Sequence, residues 1–332
     1  MRLARRGLLA AVVAGAVAIA AAAPGAVPSA GPGAGASRSD RWTGLRPSAL
    51  ERTEVAAARI GRFVYVVGGF EHTTGETTAA VERYDIGRNR WRRVHPMPLA
   101  LNHTTAVAYR GRLYVQGGYQ GARDLSAPTG ELLRYDPVSN RWRRLVAAPT
   151  PRAAHAAAVI GNRLYVAGGA NDSGSLRSLE IFDFRKQRWL TGPSFPGPAR
   201  NHTTGVASGE RFYVLAGRDT ANLTAAERFD PRRQRWEELP DLRTPRGGIA
   251  SARLRDGRIV VFGGEELGSG GTTIAPVELF DPRRRRWRRL PDMLTPRHGL
   301  GGVSFGDRVY AIEGGTSPGF SYSRAIEALD VR

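Results

Sequence analysis

The chain has 332 residues, 41% of them hydrophobic and 24% charged, an ordinary globular balance that excludes wholesale disorder and leaves material for a sizeable core. It carries no cysteine, which removes disulfides, Cys-ligated zinc, iron–sulfur clusters and thiol nucleophiles together. Lys+Arg 49 against Asp+Glu 30 leaves +19, yet Lys186 is the only lysine, so 48 of the 49 basic residues are arginine; this pattern fits a GC-rich coding bias better than selection for a polyanion, and nucleic acid is not an expected partner.

Residues 1–36 read as an export signal and linker. Met1-Arg2-Leu3-Ala4-Arg5-Arg6 is a positive start, and Gly7 to Ala23 is an uncharged Ala-rich run, too short and too weakly apolar for a stable membrane span. Ala34-Gly35-Ala36 offers small residues for cleavage. Arg5-Arg6 partly matches a twin-arginine signal, with Ala4 standing where a polar residue is expected, so a Sec-type signal is the first reading and the twin-arginine route the alternative. From Pro24 to Ser39 the chain is Pro, Gly, Ala and Ser, which cannot bury a core. No later apolar run reaches the length of a span. The expectation is a secreted or cell-surface monomer.

From Arg41 onward the chain repeats. Trp42, Trp91, Trp142, Trp189, Trp236 and Trp287 account for every tryptophan and lie 47 to 51 residues apart. Gly68-Gly69, Gly117-Gly118, Gly168-Gly169, Ala216-Gly217, Gly263-Gly264 and Gly314-Gly315 keep the same phase. Tyr84-Asp85, Tyr135-Asp136, Phe182-Asp183, Phe229-Asp230 and Phe280-Asp281 each precede a Trp by six residues. Each unit contains four short strand patterns. A run of small and branched residues such as His155 to Ile160 suits an innermost strand, and Arg112 to Gly118 alternates like a second one. Val81 to Asp85 is a third, and Arg90 to Arg93 a fourth that alternates outward arginine with inward bulk.

A period near 50 with these markers in fixed order resembles the kelch repeat. The resemblance covers Arg41 to Arg332 and implies an all-β, six-bladed propeller over residues 37–332, with Gly69, Gly118, Gly169, Gly217, Gly264 and Gly314 as repeat glycines. Trp42 has no Tyr-Asp strand before it, and the last unit ends at Glu327-Ala328-Leu329-Asp330-Val331 with no Trp after it. The strand around Trp42 is therefore expected to complete the last blade and close the ring.

The connections between second and third strands are long and variable, and they share one face with the entries to the innermost strands. That face holds Glu71 to Thr74, Gln120 to Thr129, Asn171 to Ser173, Arg218 to Thr220, Glu265 to Thr273 and Thr316 to Tyr322. His103, His155, His202 and His298 start inner strands there, beside Asn102, Arg152, Arg200, Asn201, Arg246 and Arg297. They read either as a polar ring binding an anionic or sugar-like ligand, or as packing and loop-bonding groups. A metal site is not expected: ligand nitrogens have to lie about 2 Å from one ion, whereas the repeat spreads these residues around a ring, with His298 on a blade not adjacent to the other three. No cofactor is implied.

Glu82, Glu180, Glu227, Glu278 and Glu327 recur three residues before Asp, with Leu133 the exception, a pattern of structural ion pairs to a repeat arginine. Glu313 replaces a first glycine and is expected to put a unique carboxylate near the axis. Arg88 to Arg93, Arg141 to Arg144 and Arg283 to Arg289 form a rim belt, suited to solubility or weak adhesion to anionic cell-surface polymer. Two functions follow: a recognition module binding protein or glycan through the loop face, or a secreted carbohydrate-active enzyme resembling a sialic-acid mutarotase, for which Glu313 with Arg297 or Arg246 is the pair to consider. The copper chemistry of galactose oxidase, another propeller of this kind, requires a cysteine cross-linked to tyrosine, and the chain has none.

Overall fold

The computed structural model describes residues 40–268 and 270–332, which lie within one compact unit, Ser39–Arg332. The export signal and linker read from residues 1–36 lie outside the described residues. No helix among the described residues is long and apolar enough to cross a membrane.

The described residues form six four-stranded antiparallel sheets. The first blade runs Ala56–Ile60, Phe63–Val67, Val81–Asp85 and Arg90–Arg93 from axis to rim, and the four after it repeat that order. The last blade comprises Gly301–Phe305, Arg308–Ile312 and Ile326–Asp330, and takes its outermost strand, Arg41–Gly44, from the other end of the sequence, in the register Trp42↔Leu329. Each innermost strand packs beside the next, and Gly301–Phe305 returns against Ala56–Ile60. This approach needs small residues. A Cβ on Gly205 would lie 2.6 Å from Ala157 N, and one on Gly302 2.7 Å from Ala250 Cβ.

Each repeat marker has a specific task. The indole N–H of every Trp donates to a backbone carbonyl of the neighbouring unit: Trp91 to Arg46, Trp142 to His95, Trp189 to Val146, Trp236 to Pro193, Trp287 to Pro240 and Trp42 to Pro291, at 2.7–2.9 Å. The Asp of each aromatic-Asp pair caps the following turn. Asp85 Oδ1 accepts from the amides of Gly87 and Arg88, and Asp136, Asp183, Asp230 and Asp281 repeat the arrangement. The core lies between blades: Trp42 packs with Phe262, Leu279 and Leu290 of the fifth blade and with Val309 and Leu329 of its own. The rim arginines Arg90, Arg92, Arg93, Arg141, Arg143 and Arg144 are exposed.

Trp42 thus joins the two ends of the chain by ladder, packing and one hydrogen bond. Replacing it with Phe should cost about 1 kcal/mol, the value of the lost bond, and with Ala about 3–5 kcal/mol. Denaturant melts of the two variants measure this; equal midpoints for both and the parent would remove Trp42 from the closure.

Candidate functional site

The site begins with one backbone contact made six times. The second glycine of each blade donates its N–H to a carbonyl where the next unit crosses to the axis: Gly69 to Leu101, Gly118 to Arg152, Gly169 to Arg200, Gly217 to Arg246, Gly264 to Arg297 and Gly314 to Arg52, all at 2.8–2.9 Å. The other face of the same glycine is pressed on its own unit, since a Cβ on Gly69 would lie 2.3 Å from Thr53 O. With positive φ at every one of these glycines, no side chain is tolerated.

The carbonyl-bearing position is Arg in five units, and its side chain turns inward. Arg52, Arg152, Arg200, Arg246 and Arg297 are fully buried. They pair with Glu82 (3.2 Å), Glu180 (3.1 Å), Glu227, Glu278 (3.0 Å) and Glu327 (3.3 Å). Each also donates to backbone carbonyls, as in Arg152 to Gly168 O and Ser178 O. The glutamates are the structural partners expected. The arginines Arg152, Arg200, Arg246 and Arg297 are not ligand groups at the channel mouth, because every one is sealed inside its blade. In the second blade both members change together: Leu101 occupies the arginine position and Leu133 the glutamate position, both completely buried in one apolar cluster.

Glu313 does not reach the axis. At φ 55° its side chain is directed between the last blade and the first, fully buried against Arg52 at 2.9 and 3.1 Å, so Arg52 serves both Glu82 and Glu313. Neither Arg297 nor Arg246 pairs with it. Arg297 instead donates to the Glu313 backbone carbonyl. Burial, with Glu82 alongside, pushes the Glu313 carboxyl up to about 7 despite Arg52.

The axis is lined by the residue two places after the arginine position: Glu54, His103, Ala154, His202, Gly248 and Gly299. All six have positive φ, between 47° and 72°. Backbone bonds link neighbours around the axis, His103 N to Glu54 O (3.2 Å), Ala154 N to His103 O (2.8 Å), Gly248 N to His202 O (3.0 Å) and Gly299 N to Gly248 O (2.9 Å). Three of the six carry functional side chains, and these meet. His103 Nε2 lies 3.0 Å from His202 Nε2 and 3.1 Å from Glu54 Oε2. The separation expected from a symmetric ring therefore fails. His103 and His202 are two blades apart in order, yet at the axis even non-adjacent blades are within side-chain reach.

The candidate histidines occupy three different phases. His298, one residue after its arginine, places Nδ1 3.1 Å from Glu54 Oε1 and 3.6 Å from Glu265 Oε2, and Nε2 3.1 Å from Ser317 O. The last blade adjoins the first, which brings His298 into the cluster. His155, one residue further along than His103 and His202, stays outside it with Nε2 on Thr105 Oγ1 at 2.8 Å. Asn102 and Asn201 serve the histidines: Asn102 Oδ1 meets His103 Nδ1 at 2.7 Å, and Asn201 Oδ1 meets His202 Nδ1. Arg218 completes the cluster through Glu265 at 2.7 Å.

Burial lowers His103 despite Glu54, and burial with Arg218 lowers His202 well below the ordinary histidine range. His298 is raised, because its bond and charge contact with Glu54 outweigh burial. Burial alone would raise Glu54; the three imidazoles around it hold it well below the usual carboxylate range. The cluster thus combines two carboxylates, Glu54 and Glu265, with Arg218 and three imidazoles, of which His298 is the most basic, under the loop face.

Glu54 is not among the residues the sequence singles out, and Arg218 and Glu265 stand there only as the first residues of loops on the variable face. Glu54 follows Arg52 by the spacing that separates His202 from Arg200, and the signal was hidden because Leu101 breaks the arginine series. Arg218 and Glu265 each directly follow a second glycine, so the register of neighbouring units pairs them.

Two outcomes test these assignments. Leu133→Glu should destabilise by roughly 3–5 kcal/mol as an unpaired buried charge, and Leu101→Arg added to it should recover most of that loss; additive losses in a double-mutant cycle would contradict the shared position. An unfolded glutamate titrates near 4.5, so Glu313 contributes stability that is full below that pH and lost as pH rises through about 7. The loss is on the order of 3 kcal/mol. Glu313→Gln should flatten that slope in melts between pH 4 and 8; an unchanged slope would place the titration elsewhere.

Comparison with known proteins agrees with this geometry. Residues 54–264, more than half of the chain, match the KLHDC2/KLHL20/DRC7 Kelch-repeats domain. The chain is 27% identical over 146 residues to Kelch-like protein 41a of Danio rerio, covering 44% of this chain and 24% of that protein. It is 35% identical over 130 residues to Kelch-like protein 33 of Homo sapiens, 39% of this chain and 24% of that one, so it spans about a quarter of the curated relatives it matches. The solved structure of YjhT superposes with TM-score 0.71 at 17% identity, over 85% of this chain and 96% of that one, a likeness of fold. The chain belongs to the kelch-repeat family and folds as its β-propeller.

Proposed function

We propose that this protein is an exported recognition module that binds a protein partner through the face formed by the loops between second and third strands. The observation that carries the reading is the exposure of large apolar side chains on that face: Leu125, Leu267 and Phe320 are 48%, 56% and 59% exposed and come from three different blades. Phe320 packs edge-on against the buried Phe70, 5.1 Å between ring centres, and the ring of Tyr322 lies 5.2 Å from that of His72, so aromatic contacts cross from the last blade to the first. Large apolar and aromatic side chains exposed together on one loop face suit a protein contact. Kelch repeats generally mediate protein binding, which supports the same reading. Export rests on the charged start and Ala-rich run of residues 1–23. The enzyme alternative loses its pair of groups, since Glu313, Arg246 and Arg297 are all buried away from the axis.

Immobilised protein should capture a partner from a secreted proteome. The Leu125→Ser/Leu267→Ser/Phe320→Ser variant should bind it at least tenfold more weakly with the same melting temperature, because exposed side chains contribute little to folding. Equal capture by the variant, or binding confined to a glycan array, would overturn the proposal.

A further inference from the structure

We infer that Glu54, His103 and His202 form a binding site for one divalent transition-metal ion of the zinc type, with its remaining position open to the axial channel. The argument is one of hydrogen placement. Thr77 Oγ1 donates to Gly121 O (2.5 Å), so it accepts from Asn102 Nδ2 (2.8 Å), which turns Asn102 Oδ1 toward His103 Nδ1. Ser175 Oγ donates to Asp219 Oδ1 (2.7 Å) and accepts from Asn201 Nδ2 (2.8 Å), turning Asn201 Oδ1 toward His202 Nδ1. Two separate relays thereby set an acceptor against Nδ1 of each ring, which favours the tautomer with its proton on Nδ1. Both Nε2 lone pairs are left facing each other at 3.0 Å, with Glu54 Oε2 3.1 Å from the first.

Three lone-pair donors with no hydrogen among them repel unless a cation lies between them. Ligand atoms about 2.0–2.1 Å from a common ion are separated by roughly 3.0–3.4 Å; the two edges that meet at His103 Nε2 have these lengths, and all three ligand atoms lie within 4.8 Å of one another. The asparagines act as outer partners that hold a ligating ring in its tautomer. His298 is such a partner too. Its two nitrogens are engaged by Ser317 O and Glu54 Oε1, so it holds Oε1 of Glu54 and leaves Oε2 turned inward. Two imidazoles and one carboxylate without a thiolate suit zinc, iron(II), cobalt or nickel better than calcium or magnesium. All three ligands also line the axial channel, which gives an ion and a water their path.

The test uses the full chain without a histidine tag, stripped with chelator and dialysed, then titrated with Zn²⁺ and with Co²⁺. One ion per chain is expected by elemental analysis, with a visible Co²⁺ absorption of nitrogen–oxygen coordination and a melting temperature raised by Zn²⁺. His103→Gln and His202→Gln should each weaken binding at least tenfold, and Asn102→Ala by about 10–100-fold. His72→Gln and His95→Gln, both exposed, should leave it unchanged. Stoichiometry that survives the His103→Gln/His202→Gln pair, or loss of it in His72→Gln, would overturn the site. So would a wild-type melt insensitive to Zn²⁺, which needs no folded variant and would assign the cavity to a proton shared by the two imidazoles.

Discussion

The bond from each second glycine to the carbonyl of the next unit's arginine position is the contact on which the rest depends. It is made at the entry to every blade, and it works only because the glycine is squeezed between two units with no space for a Cβ. By fixing that carbonyl it fixes the two residues that follow, the second of which turns through positive φ and sets one position per blade at the axis. Register at the rim, held by the tryptophan N–H bonds, and register at the axis therefore follow from the same spacing.

Below the backbone contact lies a buried ion pair that most blades retain and one lacks. Burying a guanidinium and a carboxylate costs desolvation that their attraction only approximately returns, and replacing both with apolar groups is commonly neutral. The second blade fits that expectation, with Leu101 and Leu133 filling the two positions together. Arg52 goes the other way by accepting two carboxylates, which leaves one negative charge too many in a dry space. Glu313, with a raised affinity for its proton, answers that excess.

The axis shows how a symmetric scaffold yields an asymmetric site. Six equivalent positions hold glutamate, two histidines, alanine and two glycines, so polar groups from the first, second and fourth blades meet across an axis that the small residues of the other three leave open. Neighbouring phases supply the supporting groups: the residue before contributes Asn102, Asn201 and His298, and the residue after a second glycine contributes Arg218 and Glu265. A cluster of this kind costs several strained backbone positions, since histidine and glutamate at φ near 50° lack the freedom of the glycines that fill the same place in blades five and six.

The sequence by itself determined the blade count, the strand order within a unit, the closing role of the strand at Trp42 and the partnership of the repeat glutamates with arginines. These follow from period and phase, which translate directly into sheet position because one unit makes one blade. Side-chain direction was not legible in the same way. Arg152 and His155 are three residues apart and both read as mouth residues, yet one is sealed in a blade and the other is wedged beside Thr105, because the intervening residue takes positive φ and turns the chain. Only the tertiary structure decided that His103, His202, His298 and Glu54 meet while Glu313 does not. Distance across a narrow axis is set by how closely six innermost strands of small residues can pack, a property of the closed ring and of no single repeat.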